Sequence, residues 1–367
     1  MDKFLSFYDM FVINEEGFVS NNQFNGLFSI NVTNGNISWY GPFPKEKNNR
    51  TGLHKKIINY NESLFFIPEC GSHIHIYKDG KFDYKYVRTE KNTENALFSG
   101  VIQRDNLLYL FPYNLKRQRA LVFNMDDLSL KTLDEFNERC IEYINDSDIH
   151  IFNVVDNGEK VSFAFFDTNI IAEWDISKKT VDVFGLDEDI KLSSLFYSSK
   201  YGSDKKYAAL TEKSNVYLID GKNIERNYFI ESLECSMGWP VNDVFDYEDM
   251  TIILPSKSDK VVLIQEEKII ELNLDMHKLS FLSGGSREWA FYKGWKYVNG
   301  NLWILPFRCD SVIVIKRDKE ICYVKTDISE LNEYEELSAN YLKEALWDGV
   351  TMEGKDGSLK EYIEMLF

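Results

Sequence analysis

Apolar residues in this chain alternate with polar ones in short runs, bounded by turn residues, rather than recurring every three or four positions. Runs of four to six β-branched and aromatic residues predict strands. One cassette recurs: a strand, a tight polar turn, an aromatic-rich second strand often ending in Pro, a loop, and two further strands. The second strand reads Leu64-Phe65-Phe66-Ile67-Pro68, Leu108-Tyr109-Leu110-Phe111-Pro112, Ile252-Ile253-Leu254-Pro255 and Leu302-Trp303-Ile304-Leu305-Pro306. Weaker copies are Val161-Ser162-Phe163-Ala164-Phe165 and Tyr207-Ala208-Ala209-Leu210, and the most degenerate is Gly17-Phe18-Val19-Ser20. Third strands follow, among them Leu27-Phe28-Ser29-Ile30, Ile74-His75-Ile76-Tyr77 and Val312-Ile313-Val314-Ile315. Asp79-Gly80, Asp220-Gly221 and Asn299-Gly300 supply hairpin turns between strands.

The second strands begin near Gly17, Ser63, Leu107, Lys160, Lys206, Met250 and Asn301, with spacings of 44 to 53 residues. A four-stranded unit repeated at this period is the mark of propeller blades, which bury both faces only by stacking in a ring. The fold class expected is therefore all-β: a seven-bladed β-propeller of four-stranded antiparallel blades, with a short C-terminal α-helical tail. Blades are expected at about 4–41, 54–87, 97–133, 149–185, 191–229, 240–272 and 290–325, giving a propeller over 1–325 and a tail over 326–367. A ring of six or eight blades is the alternative count.

This blade order resembles that of the kelch repeat family over about residues 7 to 325. The resemblance is architectural. Where kelch repeats carry a Gly-Gly pair after the second strand, this chain has Pro68-Glu69, Pro112-Tyr113 or Pro306-Phe307.

After Lys325 the period changes to 3.6, placing Leu331, Tyr334, Leu337, Tyr341, Leu342 and Ala345 on one helical face. Asp327 or Ser329 is expected to cap it, and Ser358 with Glu361 forms a capping box for a second helix. Such an apolar stripe either docks on the ring, which has no exchanged strand to latch it, or engages a partner.

The formal charge of −17 disfavours nucleic acid as a partner. No apolar run is long enough to cross a bilayer, and Met1–Ile13, carrying Asp2 and Asp9, does not read as a signal peptide. Five scattered cysteines suit thiols in a cytoplasm, and the abundance of Lys, Asn, Ile and Tyr suits an AT-rich bacterial genome.

In this strand order the loops between second and third strands share a face with the blade-to-blade crossovers, which makes that face the expected binding site. It gathers a basic sector: Lys45, Lys47, Arg50, His54, Lys55 and Lys56 in the first crossover, Arg88 and Lys91 in the next, and Lys116, Arg117 and Arg119 after Pro112. The residues expected to bind are Arg50, His54, Arg88, Tyr113, Arg117, Arg119, Trp289 and Arg308, arginines anchoring acidic groups and aromatics stacking. The expected role is a non-catalytic binding or scaffold propeller for a protein, a peptide or an anionic small molecule, with no cofactor and no metal. The competing reading is a carbohydrate-active or small-molecule hydrolase or lyase using channel carboxylates such as Glu69, Asp167 and Glu212. Cys70, His73 and His75 are the one group with metal-ligand chemistry, and no second cluster completes it.

Overall fold

Each strand pair closes where the sequence places turn residues. Asp79-Gly80 and Asn299-Gly300 both adopt the left-handed backbone at two consecutive positions, as a two-residue type I′ hairpin requires, and Asn14-Glu15 and Asn61-Glu62 do so without glycine. In the computed structural model, which describes residues 3–87, 97–141, 150–186, 190–198, 200, 205–210, 215–231, 240–256, 259–266, 268–281 and 292–353, these hairpins build seven four-stranded antiparallel sheets. Every sheet uses four strands consecutive in sequence. The innermost strands are Met10–Ile13, His54–Tyr60, Phe98–Arg104, Val155–Asp156, Leu192–Tyr197, Val241–Tyr247 and Tyr292–Val298; the last six, with Tyr8 and Asp9 just ahead of the first, line a central cavity.

Alternation sends side chains to opposite faces of a blade, and both faces are apolar. Leu64 and Phe66 enter the core shared with blade 1, while Phe65 and Ile67 enter the core shared with blade 3. Trp303 and Leu305 face blade 1, while Leu302 and Ile304 face blade 6. Among the described residues the apolar side chains fall into seven clusters, one between each pair of neighbouring blades, including the seventh with the first. An open row of seven blades would have six such interfaces, so the seventh cluster closes the ring.

That closure is made by the N-terminal segment rather than by an exchanged strand. Leu5 N donates to Thr326 O (2.9 Å), Thr326 Oγ1 to Leu5 O (2.9 Å), Ile328 N to Lys3 O (2.8 Å) and Phe7 N to Pro306 O (2.8 Å). The segment then continues to blade 1, where Asn22 N donates to Ser6 O. It lies so close to blade 7 that a Cβ on Gly294 would sit 2.3 Å from Tyr8 O.

Helix α2 (Tyr334–Glu353) packs over the same seam: Leu337 is buried, with Leu331, Tyr334 and Tyr341 against the blade 7–1 cluster. The tail thus docks on the ring. Glu344 accepts hydrogen bonds from the backbone and side chain of Asn48 in the first crossover. Two details differ from the sequence reading. The helix starts at Tyr334, because Asp327 accepts from Ser329 N in a turn before it, and Leu342 points outward. The second tail helix, from Ser358, lies outside the described residues. Helix α1 (Asp134–Ile141), not foreseen, buries Phe136 and Cys140 against blades 3 and 4 and accounts for the long spacing between Leu107 and Lys160.

The blade 1–2 core contains a polar chain that corrects the placement of His54. That residue starts an innermost strand rather than ending a crossover, and its ring is buried against Phe43 and Phe66. His75 Nε2 lies 2.9 Å from Pro44 O, which only accepts, so this nitrogen carries the proton. His75 Nδ1 must then accept from His54 Nε2 (2.8 Å), and His54 Nδ1 from Ser20 Oγ (2.7 Å). Burial lowers both histidines: His54 well below its ordinary value, helped by His75, and His75 to about 4, with Pro44 and Glu46 opposing. Both rings are neutral at pH 7, as the chain of donors demands.

Two outcomes follow for stability. Leu337→Ala should lower the unfolding free energy in urea by about 2–4 kcal/mol, the cost of a cavity at a buried leucine, whereas Leu342→Ala should stay within about 0.5 kcal/mol; equal effects would show that α2 is not part of the seam. For His75, a folded pKa below the unfolded one means the unfolded chain binds more protons, so stability present above pH 6.5 is lost as the pH falls towards 4. The advantage of wild type over His75→Gln should therefore shrink by about 3 kcal/mol between pH 7 and pH 4; an unchanged gap would contradict a neutral His75.

Candidate functional site

The strand-ending prolines shape the cavity. Pro68, Pro112, Pro255 and Pro306 have no N–H to extend the ladder, and opposite each of them the innermost strand carries one extra residue. These bulged residues are Lys55, Ser99, Asn242 and Lys293, and all four line the central cavity, of about 1060 Å³. Blade 5 has the same bulge at Ser193 without a proline. A bulge re-aims its side chain, and here it delivers two lysines inward from blades 2 and 7, either side of the N-terminal segment.

Other polar residues of the inner wall tie each blade to the next. Asp9 accepts from Ile57 N (2.9 Å), Asn153 bonds both N and O of Leu195, and Asn242 donates to Tyr292 O. Asp9 also holds Lys296 at 2.7 Å and Lys56 at 3.6 Å. Burial alone would raise its pKa, but the two ammonium groups and the Ile57 amide outweigh it and hold the carboxyl below its usual range. Arg104 neutralises Asp156.

Lys55 and Lys293 have no such partner. Among the described residues neither has a carboxylate within ion-pair distance. Lys55 Nζ reaches only Phe152 O at 3.4 Å. Lys293 Nζ lies over the rings of Phe307 (4.6 Å) and Tyr8 (5.1 Å). Enclosure lowers the pKa of Lys55 to about 8, with Glu69 opposing and Lys293 reinforcing. Lys293 is lowered too, by desolvation with Arg308 reinforcing and Glu69 opposing, although its side chain is exposed to the cavity. Glu69 acts on both lysines and adds to burial in raising the Tyr8 hydroxyl, and its Oε2 has no hydrogen-bond partner among the described residues. Arg308 completes a cluster whose sum is positive. On the adjoining wall Asp243 accepts from Trp295 Nε1 at 3.0 Å, and burial pushes its carboxyl up to about 7, with the Val244 amide, Trp295 and Lys56 opposing.

Of the residues expected to bind, Tyr113 and Arg308 line this cavity. Tyr113 stacks near His150 (4.9 Å) and Phe152 (5.0 Å), and the Arg308 guanidinium lies 5.6 Å from the Phe307 ring. Arg50 instead donates to Cys70 O from the crossover, His54 is in the blade 1–2 core, and Arg117 and Arg119 are exposed on the loop after Pro112. Arg88 and Trp289 lie outside the described residues. Of the carboxylates, Glu69 is in the cavity, Asp167 is exposed beside Lys191, and Glu212 lies outside the described residues. The sequence reading put Lys55 and Lys56 in a crossover and gave Lys293 and Asp243 no part; the signal for both lysines was the repeated proline, paired across the hairpin with the start of the innermost strand.

Cys70 separates from the histidines and joins the cavity wall, and the acid beside His73 and His75 is Glu46. The three donor atoms lie within 4.8 Å of one another. Their bonds already close on protein: Glu46 Oε1 accepts from Ser72 N (2.6 Å) and pairs with His73 Nδ1 (2.9 Å), and His75 Nε2 donates to Pro44 O. The group clasps the first crossover onto blade 2.

No family model matches the chain, and no curated protein matches it. Solved structures do. Virginiamycin B lyase from Staphylococcus aureus is similar with a TM-score of 0.59 at 11% identity, over 83% of this chain and 94% of that one. YCF48 from Cyanidioschyzon merolae gives 0.58 at 9% identity over 87% and 98%. The WD40 repeats of RRP9 give 0.54 at 13% identity over 84% and 94%. At these identities the likeness shows the fold, and the fold is a seven-bladed β-propeller.

Proposed function

We propose that this chain is a binding propeller that holds an anionic small molecule in its central cavity, with Lys55, Lys293 and Arg308 as the anchor and Tyr8, Tyr113 and Phe307 as the apolar rim. The observation that carries the reading is the pair of cavity-lining lysines with no carboxylate in ion-pair range among the described residues. Two like charges held in one cavity destabilise the empty ring, and an anion bound between them relieves the repulsion. The scaffold reading, the kelch-like kinship and a reducing, cytoplasmic setting belong to the same proposal; the kinship rests on blade order, and the setting on Cys140 and Cys322, which form no disulfide among the described residues.

One observation favours a second reading, catalysis on the bound anion: Asp243, at about 7, can give and take a proton near neutrality, and Glu69 lines the same cavity. That reading requires turnover of a bound compound that is lost in both Glu69→Gln and Asp243→Asn.

Calorimetric titration with sulfate, fully ionised across the range, tests the anchor. Lys293→Met should weaken sulfate binding at least tenfold while raising the stability of the unliganded protein by about 0.5–2 kcal/mol, as removal of functional strain does. Wild-type affinity should fall as the pH rises past 8, where Lys55 loses its proton. Sulfate affinity unchanged in both Lys55→Met and Lys293→Met would refute the proposal.

A further inference from the structure

We infer that the ligand of this cavity carries a protonated amine as well as its anionic group, and that the amine seats on Asp243. The inference rests on the anion reading above and names the other end of the same ligand.

The carboxylates of the wall differ in what already neutralises them. Asp9 holds Lys56 and Lys296, and Asp156 holds Arg104. Asp246 is taken up by Ser198, Tyr207 and Thr251. Glu69 lies in the field of Lys55 and Lys293. Asp243 has no cation within ion-pair distance among the described residues; the cation that most affects it, Lys56, is committed to Asp9. Its acceptor sites are engaged by Trp295 Nε1 and the Val244 amide, and a carboxylate has about four. The remaining ones are free to take a donor in the cavity it lines.

The group is also held ready. Trp295 stacks on Phe245 with ring centroids 3.8 Å apart and planes 13° from parallel, which fixes the indole N–H that orients the carboxyl. Lys293 and Trp295 belong to one innermost strand, two residues apart, or about 7 Å along the chain. Through its bond to Trp295, Asp243 is tied to the strand that carries Lys293, and both residues line the one cavity, which therefore presents a cationic pole and an acidic pole. Opposite poles select a ligand of matching polarity, and an ammonium group supplies both the charge and the hydrogens that Asp243 lacks, where a hydroxyl supplies only a hydrogen.

Glucosamine 6-phosphate and glucose 6-phosphate differ at one position, amine against hydroxyl. Calorimetric titration of the full chain with each should give at least tenfold tighter binding of the amino sugar. In Asp243→Asn, near-isosteric and checked by thermal unfolding, that preference should collapse to about one. Equal affinities in wild type, or a preference that survives in Asp243→Asn, would overturn the inference. So would binding of sulfate with neither sugar phosphate bound, and in each of these cases sulfate binding that depends on Lys293 leaves the anion reading standing. Absence of sulfate binding as well would remove both.

Discussion

A blade of this protein has no polar face, and everything else follows from that constraint. Leu64 and Phe66 cannot be buried by the surface that buries Phe65 and Ile67, so each sheet needs two neighbours, and seven sheets satisfy one another only as a circle. At about 25 cal/mol per Å² of apolar surface removed from water, every interface contributes, but the one between blades 7 and 1 bears an added burden. It joins the two ends of the chain without a shared strand. The short ladder from Leu5 to Thr326, with Leu337 laid over it, meets that burden by pairing backbone with backbone and then excluding water from the pair. The same segment carries Tyr8 and Asp9 into the cavity, so the device that closes the ring also builds the site.

The prolines show how a repeat needed for folding can be turned to chemistry. Opposite a residue with no N–H, a partner strand loses little by bulging, and a bulge places one side chain where the pleat would not. In blade 3 the bulge holds Ser99, whose hydroxyl donates back to Pro112 O at 3.0 Å, and in blade 6 it holds Asn242, which reaches the next blade. Those residues satisfy backbone groups. Lys55 and Lys293 occupy the same position in blades 2 and 7 and satisfy nothing of comparable strength, which sets them apart as residues kept for a ligand.

Much of the architecture was legible in the sequence because both faces of each strand are apolar and the turns are chemically distinct; Leu302 to Pro306 is recognisable as the counterpart of Leu108 to Pro112 without any structure. The site was less legible. Period-two reading has no term for an extra residue in one strand, so Lys55 read as part of a crossover and Lys293 as nothing in particular. His54 attracted notice as a polar residue near basic ones, yet its partners Ser20 and His75 are distant in sequence and only the ring brings them together. Tyr113 and Arg308 were found because they directly follow the prolines or lie two residues beyond, where the second strand opens onto the cavity. Helix α1 was missed because Phe136 and Cys140, its buried apolar side chains among those described, leave too short a stripe to register a period of 3.6.

The net charge of −17 disfavours nucleic acid, and the geometry of a propeller explains why that argument does not extend to a small anion in the cavity. Three strand spacings of about 4.8 Å put the outermost strand of a blade roughly 14 Å from the innermost. The screening length at physiological ionic strength is about 8 Å, so acidic groups on the outer strands and the tail act weakly at the inner wall. Lys55 and Lys293 lie inside that wall with Glu69 as the nearest opposing charge, and low local polarisability strengthens what they do. Total charge then governs how the molecule behaves towards others at a distance, while the potential felt by a ligand inside the ring is set by the few side chains that the bulges turn inward.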